Sequence, residues 1–220
     1  CECVGAPTTD RPALYVSNHV SYLDVFVLGS VLRGSFVAKS EVASWPVFGK
    51  LAKLQNTLFL ERNVHRAAEQ IEVLRNHLQQ EGSLIMFPEG TSTAGTTVAP
   101  FRSSLFAAAN DVTIQPVTVA YVDYEGEPMT RDERERYVWY LPNPKEHPTT
   151  PNRPFVSHFF AGMGLGRCTV KVLFHEPITM NPGNRKECAL RCESLVRGGL
   201  LQLLGSEAHD SATSELTSAT

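Results

Sequence analysis

The alternation of two hydrophobic patterns constrains the fold of this chain most strongly. Ser83 to Phe87 is a short run that is almost entirely apolar, which is typical of a central strand covered on both faces. The preceding segment, Val64 to Gln80, carries apolar residues at helical spacing and charged residues on its other side. Strand-like and helical segments alternate in this way over most of the chain. The pattern predicts an α/β single domain with a mostly parallel or mixed central sheet flanked by helices on both faces.

The remaining elements are predicted from the same two patterns and from glycine and proline boundaries. The predicted strands are 13–17, 35–38, 57–60, 83–87, 112–121 with a break at Pro116, and 168–175. The predicted helices are 20–32, 47–54, 64–80, 105–110 and 185–204. Residues 121–166 form the least regular region, which fits either a lid or a packed peripheral insertion. We expect the domain to span residues 1–205, followed by a disordered tail at 206–220.

Length and composition exclude several classes of protein. The 220 residues suffice for one domain, and the formal net charge of −3 gives no overall attraction to nucleic acid. No apolar run reaches the roughly eighteen residues of a membrane-spanning helix. The five cysteines are odd in number and fit no zinc-site spacing, which favours a reducing, cytoplasmic environment.

The first chemical signal is a histidine, His19, followed five positions later by Asp24. The ordinary pKa of histidine, about 6.5, suits it to accept a proton near neutral pH. A carboxylate on the far ring nitrogen fixes the tautomer and stabilises the imidazolium. Five residues on a regular helix place side chains about 140° apart, so the two can meet only if His19 precedes the helix. The alternative is a helix-capping turn with a solvated histidine.

Further short motifs follow His19 in a fixed order along the chain. They are Ala38–Glu41 (A-K-S-E), Asn56–Arg62 (N-T-L-F-L-E-R), Phe87–Ser92 (F-P-E-G-T-S) and Ile114–Val117 (I-Q-P-V). In this order and at these separations the motifs resemble those of the 1-acylglycerol-3-phosphate acyltransferase family, from about Gly5 to about Thr179. The segments at 92–95 and 100–106 resemble the bacterial branch that includes the lyso-ornithine lipid acyltransferases.

The resemblance implies a role for each motif residue. His19 is expected to be the general base and Asp24 the residue that orients it. Residues expected to bind substrate are Arg62, Glu89, Gly90, Thr91, Lys39, Arg102, Phe59 and Pro116. Because Glu89 is anionic, we expect it to bind a hydroxyl or an amine, or to orient Arg62. Many family members have a basic residue directly after E-G-T, where this chain has Ser92, so Arg102 is the candidate replacement.

The resemblance also implies substrates, partners and location. The expected reaction transfers a fatty acyl group from acyl-CoA or acyl carrier protein to the free hydroxyl of a lysolipid, without a cofactor. The first expected acceptor is 1-acylglycerol-3-phosphate, giving phosphatidic acid, and the alternative is lyso-ornithine lipid. The expected partner is a membrane surface, at its cytoplasmic face. The protein would be peripheral, or anchored by an N-terminal segment outside this chain.

Three other functions are compatible with the sequence. A catalytically inactive lipid-binding domain of the same fold would explain Ser92, although His19 and Asp24 argue against it. A thioester hydrolase would use water in place of the lipid hydroxyl. A metal hydrolase would use His19, Asp24 and Glu89, but no H-x-x-x-H pair accompanies them. The G-x-S-x-G motif of serine hydrolases does not occur in the chain.

Overall fold

The computed structural model describes residues 1–44, 49, 56–61, 66–80, 82–137, 158, 164–180 and 183–205. Most of the predicted helix 47–54, most of the irregular region beyond 137 and the predicted tail 206–220 lie outside the described residues.

The described elements follow the predicted alternation of strands and helices. The strands are β1 (Glu2–Val4), β2 (Ala13–Ser17), β3 (Ser35–Lys39), β4 (Leu58–Leu60), β5 (Leu84–Met86), β6 (Thr113–Tyr124), β7 (Glu127–Pro128), β8 (Cys168–Phe174) and β9 (Ile178–Thr179). The helices are α1 (Leu23–Val31), α2 (Ala67–Gln80), α3 (Arg131–Tyr137) and α4 (Arg185–Leu204). Short 3₁₀ helices span Ser40–Ser44 and Leu105–Ala108.

The strands form one mixed sheet in the order β1-β8-β6-β2-β5-β3-β4. Strands β6, β2, β5, β3 and β4 run parallel to one another, and β8 is antiparallel to β6. Strands β7 and β9 pair with β6 in antiparallel fashion at its two ends. The predicted sheet, mostly parallel with mixed edges, is therefore confirmed.

Apolar side chains cover both faces of this sheet, because neighbouring residues of a strand point to opposite sides. On one face, Leu14, Leu84 and Ile114 pack with residues of α2 and α4. On the other face, Tyr15, Ile85 and Val119 pack with residues of α1 and α3. Helices thus flank both faces, as predicted.

Several predicted boundaries were wrong. Strand β6 runs through Pro116 without a break, since the carbonyl of Pro116 accepts a hydrogen bond from the N–H of His175 at 3.0 Å. In other residues of a strand the N–H points to the same side as the carbonyl. At Pro116 that side faces the gap between the segments where β8 and β9 pair with β6, so the missing N–H costs no hydrogen bond of the sheet. In the region predicted to be irregular, β7 and α3 form regular structure, and β1 was not predicted.

The topology places two motifs side by side. Val16 of β2 is the register partner of Met86 of β5, and the two strands run in the same direction. Their carboxyl ends therefore open at the same edge of the sheet, where α/β folds commonly place ligands. Because His19 and Glu89 lie three residues beyond these partners, the turns that carry them are adjacent.

Candidate active site

The side chains of His19 and Asp24 meet in the turn between β2 and α1. Nδ1 of His19 lies 2.8 Å from Oδ2 of Asp24. Helix α1 begins at Leu23, so His19 lies before the helix and Asp24 lies on its first turn, as the spacing required. An ionised carboxylate only accepts hydrogen bonds, so Nδ1 carries the proton and Nε2 is left as the basic nitrogen. The His19 side chain is 24% exposed, so it is partly accessible from solvent.

Asp24 is fully buried and is saturated with hydrogen-bond donors. Oδ2 also accepts the backbone N–H groups of Val20 at 2.7 Å and Ser21 at 2.9 Å. Oδ1 accepts the hydroxyl of Tyr121 at 2.9 Å. Donors to the charged form offset the cost of burying a carboxylate. These donors fix the Asp24 carboxylate in one orientation beside His19.

The backbone and the ring of His19 are also held by the turn after β5. The His19 N–H donates to Oε1 of Glu89 at 2.6 Å, and the His19 carbonyl accepts the N–H of Thr93 at 2.9 Å. The imidazole stacks on Phe87 with ring centroids 4.2 Å apart. These contacts fix the position of the imidazole before any substrate binds.

Glu89 is buried, and both of its carboxylate oxygens are engaged by backbone groups. Oε1 accepts the N–H of His19, and Oε2 accepts the N–H of Ala99 at 2.6 Å. Burial raises the pKa of Glu89 to about 8, although these two N–H groups act in the opposite direction. The expected direct contact between Glu89 and an acceptor headgroup is not supported by this geometry. Glu89 instead ties the His19 turn to the loop that follows β5.

The loop 92–100 is rich in Thr, Ala and Gly, a composition that predicts mobility, and in the structure it makes several hydrogen bonds to its surroundings. Besides the contacts to Glu89 and His19, the Arg102 N–H donates to the carbonyl of Pro88 at 2.9 Å. Helix α4 holds the loop from its other side, where Arg197 donates to the carbonyl of Val98 at 2.7 Å and Glu193 accepts the N–H of Phe101 at 2.9 Å. Polar contacts therefore anchor a segment whose composition suggested freedom.

Arg102 lies against the E-G-T turn, which matches its predicted position. Gly90 has a φ of +69°, and a Cβ atom there would come within 2.9 Å of the Arg102 guanidinium. Only glycine permits both this backbone conformation and this close approach. Arg102 and Thr91 are exposed, so a cation and a hydroxyl group face solvent beside the turn.

Comparison with known proteins shows the family of the chain. The family model described as Acyltransferase matches residues 4–122, which is more than half of the chain. The chain belongs to the acyltransferase family.

Similar proteins within the acyltransferase family carry two names. The lyso-ornithine lipid O-acyltransferase of Brucella abortus is 38% identical over 89% of this chain and 74% of its own length. That of Rhodobacter capsulatus is 36% identical over 85% of this chain and 65% of its own length. The 1-acyl-sn-glycerol-3-phosphate acyltransferase of Neisseria gonorrhoeae is 37% identical over 58% of this chain and 52% of its own length. All are named as acyltransferases of lysolipids, so the predicted enzyme class is confirmed.

A solved structure confirms the fold of the acyltransferase. The 1-acyl-sn-glycerophosphate acyltransferase PlsC of Thermotoga maritima superimposes with a TM-score of 0.57 at 24% identity, covering 92% of this chain and 71% of that one.

The other predicted substrate-binding residues lie on strands that do not carry the dyad. Lys39 ends β3, two strand spacings or about 10 Å from β2, and Phe59 lies in β4, about 14 Å from β2. Pro116 is buried in β6 as the register partner of Val16, on the face that packs against α4. The expected substrate contact of Pro116 stays a prediction. Arg62 lies outside the described residues.

Three contributors to the acyltransferase site were not predicted from sequence. Asn18 pairs with the backbone of Val119 through two hydrogen bonds of 2.8 and 2.9 Å. Thr93 holds the His19 carbonyl, and Tyr121 binds Asp24. The adjacency of Asn18 to the motif was a usable signal. Nothing in the sequence pointed to Tyr121, which lies 97 residues from Asp24.

The described part of the chain contains neither a metal-binding cluster nor a membrane-spanning helix. Within it, no group of three or more histidine, cysteine, aspartate or glutamate side chains is placed to hold a metal ion. The hypothetical metal site at His19, Asp24 and Glu89 is not supported, because N–H and O–H donors already bind the oxygens of the Asp24 and Glu89 carboxylates. In the same residues, no helix has the length and apolarity needed to span a membrane.

Proposed function

We propose that this protein transfers a fatty acyl group from a thioester to the free hydroxyl of a lysolipid, with His19 as general base and Asp24 as its orienting partner. The hydrogen bond between Nδ1 of His19 and Oδ2 of Asp24 carries this proposal. It selects the tautomer in which Nε2 has a free lone pair, on a ring that is partly exposed at the edge of the sheet.

The dyad accounts for both proton transfers of the reaction. Nε2 of His19 takes the proton of the lipid hydroxyl as its oxygen attacks the thioester carbonyl. Asp24 stabilises the imidazolium that results. When the tetrahedral intermediate collapses, the carbon–sulfur bond breaks and the imidazolium returns the proton to the departing thiolate. The new ester and the free thiol balance the reaction, and no enzyme nucleophile takes part.

The acceptor we propose first is lyso-ornithine lipid, with 1-acylglycerol-3-phosphate as the second candidate. Relatives named for the ornithine lipid match 85% and 89% of the chain, whereas the Neisseria relative named for the glycerophosphate matches 58%. The charge beside the E-G-T turn also favours lyso-ornithine lipid as the first candidate acceptor. A phosphate monoester carries about −1.5 to −2 charges at neutral pH, but the carboxylate of an ornithine headgroup carries one. Arg102 supplies one positive charge, and Ser92 adds none.

The donor and the location are part of the proposal. Acyl-CoA and acyl carrier protein both present the required thioester, and no contact in the described residues distinguishes them. Because both candidate acceptors are lipids, we place the reaction at the cytoplasmic face of a membrane. The protein needs no cofactor for it, since the dyad supplies the proton transfers.

The test measures acyl transfer from each labelled donor to micelles of each lysolipid, for the wild type and His19→Ala. We expect turnover with one acceptor and a loss of about 10²–10⁴-fold in the variant, since a general base contributes about this factor. A folded His19→Ala variant that retains more than a tenth of the activity would contradict the dyad.

The same assay separates the alternatives. Release of free fatty acid without an acceptor would identify a thioester hydrolase. Binding of lysolipid without turnover of any donor would identify an inactive lipid-binding domain. Thermal unfolding of both proteins shows whether the His19→Ala variant is folded when it is assayed.

A further inference from the structure

The two oxygens of Asp24 are held by different parts of the molecule. Oδ2 is bound within its own turn, by His19, Val20 and Ser21. Oδ1 is bound from outside the turn, by the hydroxyl of Tyr121 on β6. The turn therefore fixes the oxygen that faces the imidazole, while a strand of the sheet fixes the other oxygen.

Strand β6 holds both ends of the catalytic turn. At one end, Asn18 pairs with the N–H and carbonyl of Val119. At the other end, Asp24 accepts the hydroxyl of Tyr121, two residues further along β6. Tyr121 is 2% exposed and belongs to the apolar cluster between the sheet and α1. Its ring is packed in place, so the hydroxyl has a fixed direction.

The hydroxyl of Tyr121 is a donor under all working conditions. Burial, together with the nearby Asp24 carboxylate, raises the pKa of Tyr121 well above its usual value. The phenol therefore keeps its proton, and a carboxylate can only accept it. Without this donor, Oδ1 would be a buried acceptor with a lost partner. The carboxylate would then gain freedom to rotate away from His19.

We propose that Tyr121 is a positioning residue of the acyl-transfer reaction, whose hydroxyl holds Oδ1 of Asp24 so that Oδ2 remains on Nδ1 of His19. This inference rests on the proposed dyad mechanism. Without the phenol, the Asp24 carboxylate can turn away from Nδ1, so its hydrogen bond to the imidazole is held less firmly.

The kinetic test compares Tyr121→Phe with Tyr15→Phe. Tyr15 is a matched control because it is fully buried in the same cluster, while its hydroxyl contacts Arg11 and Thr8. In Tyr121→Phe we expect kcat to fall about tenfold with KM for the acceptor within about twofold. We also expect the pH dependence of kcat to differ from that of the wild type. Tyr15→Phe should show neither change.

A double-mutant cycle identifies the group through which Tyr121 acts. In a background of Asp24→Asn, the further change Tyr121→Phe should have little additional effect, because the interaction is already lost. An equal fold-loss in both backgrounds would overturn the proposal. Wild-type kcat and pH profile in Tyr121→Phe would also overturn it.

An NMR titration tests the same inference without turnover. The ring resonance of His19, assigned from its loss in His19→Ala, is followed with pH in the wild type and both tyrosine variants. We expect the midpoint to differ from the wild-type value in Tyr121→Phe alone, and equal midpoints in all three proteins would overturn the role of Tyr121. If the wild type transfers no acyl group, the proposed function fails while this titration still gives its own answer.

Discussion

The turn after β2 and the turn after β5 each contribute one buried carboxylate beside His19, and the two carboxylates have different neighbours. Asp24 binds the imidazole and also accepts two backbone N–H groups and a phenol. Among the residues that the structure describes, Glu89 accepts two backbone N–H groups and no side-chain donor. Asp24 therefore interacts directly with the charge of the His19 imidazole, whereas Glu89 holds the backbone of His19 in position.

This comparison shows that a motif residue can serve the reaction from either of two levels. Asp24 contacts the ring that we propose transfers the proton. Glu89 holds the backbone of His19 and the loop that leads to Arg102. Three variants test whether Asp24 and Glu89 differ in this way, beginning with the one expected to have the largest effect.

Asp24→Asn should lower kcat/KM by about 10²–10⁴-fold. An amide has one accepting oxygen, so it cannot serve the imidazole, the two N–H groups and the phenol together. The loss should appear in kcat more than in KM, measured by steady-state acyl transfer. Thermal unfolding is the control for folding. A loss of less than tenfold would show that Asp24, like Glu89, contributes to the position of His19 and not to proton transfer.

Glu89→Gln should change how stability depends on pH. Burial raises the pKa of Glu89 from 4.5 to about 8. Between these values the folded protein holds a proton that the unfolded chain has released, so this group makes stability fall as pH rises. The variant should lack this fall, whose slope is at most about 1.4 kcal/mol per pH unit.

Urea unfolding at several values between about pH 5 and pH 8 measures the difference between wild type and variant. Subtracting the two curves removes the contribution of other groups, including His175, whose pKa is lowered by burial. Parallel curves would show that Glu89 is ionised throughout, held as a carboxylate by its two N–H donors.

Arg102→Gln should raise KM for the acceptor about tenfold and leave kcat within about twofold, because an exposed cation contributes binding energy to the headgroup and not to the proton transfer. Arg66→Gln is the matched control, since Arg66 is an exposed arginine directly before α2 that pairs with Glu61 and Glu69. An equal change in both variants would show a general effect of surface charge. A fall in kcat alone would show that Arg102 contributes to the proton-transfer step and not to binding of the headgroup.

The parts that sequence predicted well were local ones. Hydrophobic periodicity predicted the bounds of β2, β5, α2 and α4 to within a few residues, because the apolar residues of each element pack against the core. The beginning of α1 was predicted at Val20 but lies at Leu23, because the Asp24 side chain binds the N–H groups of Val20 and Ser21. Pro116 was expected to break β6, and only the gap between two antiparallel partners explains why it does not.

The sequence by itself predicted the class of fold, the family and the pairing of His19 with Asp24 as one of two alternatives, since periodicity and the order of motifs are properties of the chain alone. The tertiary structure decided what each motif residue contacts. It moved Glu89 from the expected headgroup site to the backbone of His19, and it brought Tyr121 to Asp24 across 97 residues. Such contacts depend on which strands are neighbours and on their register. In a parallel sheet, neighbouring strands are joined by long crossovers, so local sequence does not specify these contacts.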